Sequence, residues 1–308
     1  MKQRLISAAV FLTLLIPVFV WPRYGLPVLA VVIIVGSLVE IMRAMELLKK
    51  WYISVPYLVF GAAVPTILWL QFYRAYTTFL WIPAHSHYTR ISTSTMEFGW
   101  VLLVMLGLIF YTFFAGVFAK GKIDVNKCGL LYMLTIYIFV GAVAIPVFYE
   151  SMGYIFLLVF ISAWATDSGA HLIGSAIGKR KLWPEISPNK TIAGAVGGIV
   201  VNIIAFIAFA FIIQSLNTHG TNPYTDVNFI MVVILAVASS IVVIMGDLVE
   251  SMIKRQYNIK DFGNIMPGHG GIFDRFDSII AVAPVLLALA AWLRPFEEVW
   301  HGVLLIGG

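Results

Sequence analysis

The chain has 308 residues, of which 61% are hydrophobic and only 11% charged. Soluble domains carry about 25% charged residues, so this composition excludes a water-soluble globule and selects an integral membrane protein. The formal net charge of +5, from 20 Lys and Arg against 15 Asp and Glu, is accounted for by membrane topology and anionic headgroups, and nothing further supports nucleic-acid binding.

Runs of about 20 apolar residues predict an all-α integral membrane protein of about nine transmembrane helices. They lie near 5–21, 25–42, 53–71, 98–118, 128–148, 153–177, 191–214, 228–247 and 278–294. Lys2 and Arg4 precede the first run, which lacks a small-residue cleavage site before Trp21-Pro22-Arg23. More spans follow at once, so the run reads as a retained helix and not as a signal peptide. With the N-terminus inside, only Arg23, Arg74, Arg90 and Arg294 fall in outer segments, and the other Lys and Arg face the cytoplasm. The positive-inside rule then gives a cytoplasmic N-terminus and an outer C-terminus.

The outer loop 72–97 is polar and Ser/Thr-rich. Its His85 and His87 lack a third ligand, so it reads as a solvated loop before it reads as a metal site. The single cysteine, Cys128, excludes an intramolecular disulfide and a cysteine metal cluster, and reads as a small apolar residue. No internal repeat is evident. Two regions differ in character: 1–150 holds N-terminal helices for packing, with a dimer face or lipid groove as candidate roles. The second, 151–308, is the chemical half, where Asp167, Ser168, His171, Asp247 and Glu250 enter the spans and inner loops. Ionisable groups at membrane depth are costly and by default mark a functional site.

Three constellations carry the chemistry. In 164–191, Asp167 falls about 21 Å into its span at 1.5 Å per residue, where a lone carboxylate needs a cation or a wet cavity. Beyond the Gly174-x3-Gly178 spacing, a mark of close helix packing, comes a basic turn-rich loop with Lys179, Arg180, Lys181, Ser187-Pro188 and Lys190-Thr191. It suits phosphate oxygens, although a positive-inside loop alone would look similar. In 246–263, Asp247, Glu250, Ser251 and Lys254 share one helical face, which a solvated helix end would also show. In 267–277, Pro267-Gly268 breaks the helix and Gly270-Gly271 permits an anion-binding nest of free N–H groups. Asp274 and Asp277 then lie three apart, with Arg275 between them. Carboxylates beside basic groups and such a nest are what Mg²⁺-assisted phosphoryl or nucleotidyl transfer requires.

The segment 251–277, S-x-x-K-R-x4-K-D-x-G-x-x-M-P-x-H-G-G-x-x-D-R-x-D, closely resembles the signature of CTP:phosphatidate cytidylyltransferases (CDP-diacylglycerol synthases). The T-D-S-G-A, G-x-x-x-G-K and S-P-x-K-T runs of 164–198 are similar to that family as well. Met266, His171, Asn189 and Ala193 depart from the family pattern. The resemblance implies transfer of CMP from CTP to phosphatidate, giving CDP-diacylglycerol and pyrophosphate for phospholipid synthesis. It also implies Mg²⁺, with K⁺ as a second candidate cation, and a homodimer in the cell (inner) membrane with its site facing the cytoplasm. Carried over by position, Asp247, Asp274, Asp167 and Asp277 are the candidate metal carboxylates. Asp247, Asp274, Lys254, Arg275 and His269 are the candidate catalytic residues. Lys190, Ser187, Arg255, Lys260, Gly270 and Gly271 are the candidate substrate contacts. His269 and His171 each read equally as hydrogen-bonding residues of their own segments. Asp274→Asn is expected to abolish turnover. The alternative is a cation-coupled transporter using Asp167 and Asp247, which is the weaker reading because only one half of the chain is polar.

Overall fold

The computed structural model describes residues 13, 15–79, 89–119, 124–218, 227–263 and 270–293. Eight long helices follow helical residues at 15–20. They are α1 (Pro22–Ala44), α2 (Trp51–Phe79), α3 (Thr89–Phe118), α4 (Val125–Met152), α5 (Leu157–Ile177), α6 (Ile192–Thr218), α7 (Phe229–Gln256) and α8 (Phe273–Leu293). Seven apolar segments are long enough to cross a membrane, and the one from Val125 to Ile177 contains both α4 and α5. The chain is a multi-pass helical membrane protein. The start of the first expected span lies outside the described residues, as do His85, His87 and the segment 264–269 with His269.

Backbone chemistry sets the joints. At 1.5 Å per residue, the 53-residue segment 125–177 is far longer than one bilayer crossing, and Gly153 divides it. This glycine ends α4 with φ 56° and ψ −142°, a left-handed region that costs a Cβ-bearing residue free energy, and a 3-10 turn at Gly153–Phe156 leads into α5. Pro27, Pro56, Pro65, Pro146 and Pro284 all lie inside helices, which membrane helices tolerate when neighbours satisfy the freed carbonyls.

Small residues bring α5 against α6 and α7 against α8. A Cβ on Gly194 or Gly198 of α6 would lie 2.7 Å from the carbonyl oxygen of Ala170 or Thr166 on α5, and one on Gly246 of α7 would meet Ala281 of α8. These are backbone-level contacts of the small-residue kind. The fully buried Phe148, Phe156, Phe160, Phe206 and Phe273 fill the space between α4, α5, α6 and α8. By contrast α3 is mostly uncovered: its span is 22% buried against 56% for α1, and Leu103 and Phe118 are 69% and 82% exposed.

Several boundaries differ from the hydropathy reading: α2 runs on to Phe79, α3 already starts at Thr89 so that the expected outer loop 72–97 is helical at both ends, and α7 continues to Gln256. The last helix begins at Phe273, five residues before the apolar run, because capping carboxylates support its charged first turn. The basic loop after α5 is also ordered. Lys181–Trp183 (β1) and Ser187–Thr191 (β2) form an antiparallel hairpin in which Lys181 pairs with Thr191 and Trp183 with Ser187.

Candidate active site

Asp247, Glu250 and Asp277 form one acidic cluster, each offering an oxygen within 4.8 Å of the others. Helix α7 supplies Asp247 and Glu250 three residues apart, hence on one face. Helix α8 supplies Asp277 one turn from its start, and the glycine contact at Gly246 lets the two helices approach closely enough. Asp277 is 9% exposed and Glu250 3%. A buried Glu250 oxygen, Oε1, has no hydrogen-bond partner among the described residues. Buried carboxylate oxygens are costly without a donor or a cation, so this donor set fits a divalent metal. Asp167 on α5 stands beside Asp247, Asp277, Lys190 and Ser278, at the exposed edge of the cluster.

Two lysines frame the acids. Lys190 of β2 pairs with Asp247 at 2.5 Å, so the hairpin delivers its cation directly to α7. Lys254, one turn below Glu250, pairs with it at 2.6 Å and with Asp274 at 2.8 Å. Its ammonium bridges α7 and α8. Lys254→Met would leave two buried carboxylates without their counter-ion, at a cost of about 3–5 kcal/mol. The expected result is a clear fall in the thermal midpoint of the detergent-solubilised protein, recovered in part by Lys254→Arg.

Asp274 adjoins the three-acid group through Lys254, which it shares with Glu250, and its oxygens also accept the Phe262 N–H at 3.0 Å and the Gly271 N–H at 2.7 Å. Asp274→Asn is therefore expected to lower the thermal midpoint and turnover together by loosening this loop, a pairing visible in parallel melting and activity measurements.

The anion nest is likewise filled from within. Gly270 adopts φ 84°, as a turn at that point requires, but the Gly271 N–H goes to Asp274. The next two amides, of Ile272 and Phe273, donate to Glu40 Oε1 and Oε2, both at 2.9 Å. Glu40 belongs to α1 and is fully buried. Any Cβ at Gly263 or Gly271 would collide with its carboxylate. A carboxylate at a helix N-terminus satisfies orphan amides and the helix dipole together. The sequence reading passed over Glu40; its signal was a single carboxylate inside the apolar run 25–42.

The other candidates are more peripheral. Ser187 opens β2. Arg255 donates from Nε to the Ile186 carbonyl at 3.4 Å, tying the hairpin to the end of α7. Lys260 lies exposed after α7, and Arg275 is exposed on the first turn of α8. His171 is exposed on α5, one turn beyond Asp167.

The chain matches the model of the cytidylyltransferase family over residues 2–293. It belongs to that family. Among its relatives is the phosphatidate cytidylyltransferase of Bacillus subtilis (strain 168), 34% identical over 302 residues, covering 94% of this chain and 98% of the relative. Those of Staphylococcus haemolyticus (strain JCSC1435) and Staphylococcus aureus (strain COL) are each 31% identical, covering 93% of this chain and 97% of theirs. Cytidylyltransferase membership makes the protein a nucleotidyltransferase enzyme, and the transporter alternative gains no support from these relatives.

Proposed function

We propose that this cytidylyltransferase family member transfers CMP from CTP to phosphatidate, forming CDP-diacylglycerol and pyrophosphate for phospholipid synthesis. The observation that carries this reading is the three-carboxylate cluster flanked by Lys190 and Lys254 at the ends of α7 and α8 where the basic segments gather. CTP is water-soluble and phosphatidate lies in the bilayer, so a site at the inner membrane surface meets both, which the charge distribution supports. A phosphate oxygen of phosphatidate attacks the α-phosphorus of CTP, the α–β phosphoanhydride bond breaks, and pyrophosphate departs with that electron pair. The nucleophile is already an anion, so no general base is needed.

In this reading Asp247, Glu250 and Asp277 hold Mg²⁺, with Asp167 at the edge and K⁺ as a second candidate cation. Once bound there, a divalent ion would offset the negative charge that develops in transfer. Lys190 and Lys254 offset the charge of the carboxylates they pair with and present ammonium groups to the phosphates. Arg255, Lys260 and Arg275 extend the positive surface toward the cytoplasm, where Ser187, Gly270 and Gly271 shape the approach, and His269 remains a candidate nucleotide contact. A homodimer is part of the reading through family resemblance, and the uncovered face of α3 leaves room for one.

The test is direct. Purified protein in phosphatidate-containing micelles with CTP and Mg²⁺ should yield CDP-diacylglycerol and pyrophosphate in equal amounts, and EDTA should stop the reaction. Absence of product, with ion flux in liposomes instead, would overturn the proposal.

A further inference from the structure

Asn202 on α6 is fully buried at a junction of three helices. Its Nδ2 faces Ser240 Oγ at 2.9 Å, the Ala236 carbonyl at 3.0 Å and Ser239 Oγ at 3.1 Å, all on α7, and Ser162 Oγ on α5 at 3.5 Å. The Thr166 hydroxyl of α5 donates to Ser240 Oγ at 3.2 Å. Ser239 and Ser240 in turn donate to the Ala236 carbonyl at 3.0 and 2.9 Å. The Asn202 Oδ1 has no hydrogen-bond partner among the described residues.

Stability alone is a poor explanation for this amide. Interhelical polar contacts in membranes contribute little on average, whereas an unpaired buried polar atom costs more than such a contact returns. An apolar side chain would pack there with no orphaned oxygen. What the cluster supplies is angular register. Thr166 directly precedes Asp167. Ser240 lies seven residues from Asp247, hence on the same face and about 10.5 Å away along α7. Helix α6 also leads back to β2, whose Lys190 pairs with Asp247. The helices of the site are thus joined at two heights, by Lys190–Asp247 near the surface and by Asn202 deeper in the membrane. Helices α5 and α6 touch backbone to backbone, and deep in the membrane Asn202 ties α7 to that pair, while Lys254 ties α7 to α8 nearer the surface.

We propose that Asn202 is a positioning residue that fixes the rotation of α7 against α5 and α6, and with it the spacing of Asp167 from Asp247 and Asp277. This rests on the reading of those carboxylates as a divalent-cation site. The test is titration of Mn²⁺ into the detergent-purified full chain without nucleotide, following free Mn²⁺ by electron paramagnetic resonance, alongside thermal midpoints. Asn202→Leu should weaken Mn²⁺ binding by about 10–100-fold, the usual scale for supporting residues around a metal, in a protein that still melts cooperatively. Asn202→Ser, which keeps a donor, should recover part of the loss. Unchanged Mn²⁺ affinity in Asn202→Leu, whatever its melting point, overturns the proposal. Should that variant fail to fold, Ser240→Ala is the deciding variant, with weaker binding expected and unchanged binding overturning the idea. A native protein that binds no Mn²⁺ overturns the cation-site reading and this inference together, whereas native binding with unaffected variants overturns only the role of Asn202.

Discussion

Asp247→Asn and Asp277→Asn proteins are expected to insert, fold and melt close to the parent, yet to lose turnover by about 10²–10³-fold, the scale of removing one preorganised charge-stabilising group. The two acids sit on facing helices within one cluster with Glu250, so each substitution removes a candidate ligand oxygen; Asp247→Asn also weakens the pair with Lys190, which the remaining amide oxygen can still accept from. Asp277 is the sharper case, since it lies a single turn into α8 and is nearly enclosed. Replacing its carboxylate by a neutral amide relieves crowding among buried acids while weakening cation binding. Stability should therefore hold or rise as activity falls, and Mg²⁺ titration of the residual activity should show a raised half-saturation. Near-parental turnover at ordinary Mg²⁺ in both variants would sink the assignment of the cluster. Asp274→Asn provides the internal contrast, because its expected loss comes with a lower melting point.

The second large effect belongs to a residue far from the motif. Glu40→Ala leaves the Ile272 and Phe273 amides buried without acceptors. At about 1–3 kcal/mol each, that removes roughly 2–6 kcal/mol, a large part of the 5–15 kcal/mol typical of a folded domain. The expected outcome is poor recovery of folded protein from membranes and a turnover near background in what remains. Glu40→Gln keeps one acceptor oxygen and the packing against Gly263 and Gly271, so it should fold, with a lower melting point and partial activity. Size-exclusion profiles and melting curves of the two variants distinguish these outcomes. A Glu40→Ala protein as stable and active as the parent would show that water or another group caps α8.

Hydropathy read the helices well because membrane burial requires long apolar runs, and eight of the nine runs coincide with α1–α8 in the described structure, with ends that shift by up to nine residues. The shifts have physical causes. Helix α8 starts early because Glu40 and Asp274 support a first turn that hydropathy scores as polar, and α7 continues past 247 to Gln256 because its charged end is solvated or paired. The hairpin 181–191 was hidden because three- and five-residue strands show little periodicity, and Pro188 argues against a strand. Asp247, Asp277 and Lys254 were legible as neighbours from helical spacing and motif. Glu250 was legible only as part of a face, since its pairing with an acid on another helix depends on tertiary approach. The glycine pair 270–271 correctly marked a turn, yet spacing alone could not show that the protein's own acids take its amides. Glu40 was the least legible, because nothing local connects residues 232 positions apart.

The break at Gly153 bears on how the protein enters the membrane. Helices α4 and α5 are separated by only a four-residue 3-10 turn, with no hydrophilic loop on that side for the insertion machinery to translocate. So short a join ties the insertion of one helix to that of the other. The basic residues that orient it lie at its two ends, Lys127 before and Lys179, Arg180 and Lys181 after. By the positive-inside rule, these flanks are expected to orient both helices together. A reporter inserted at the turn would separate two helices that are built to insert together.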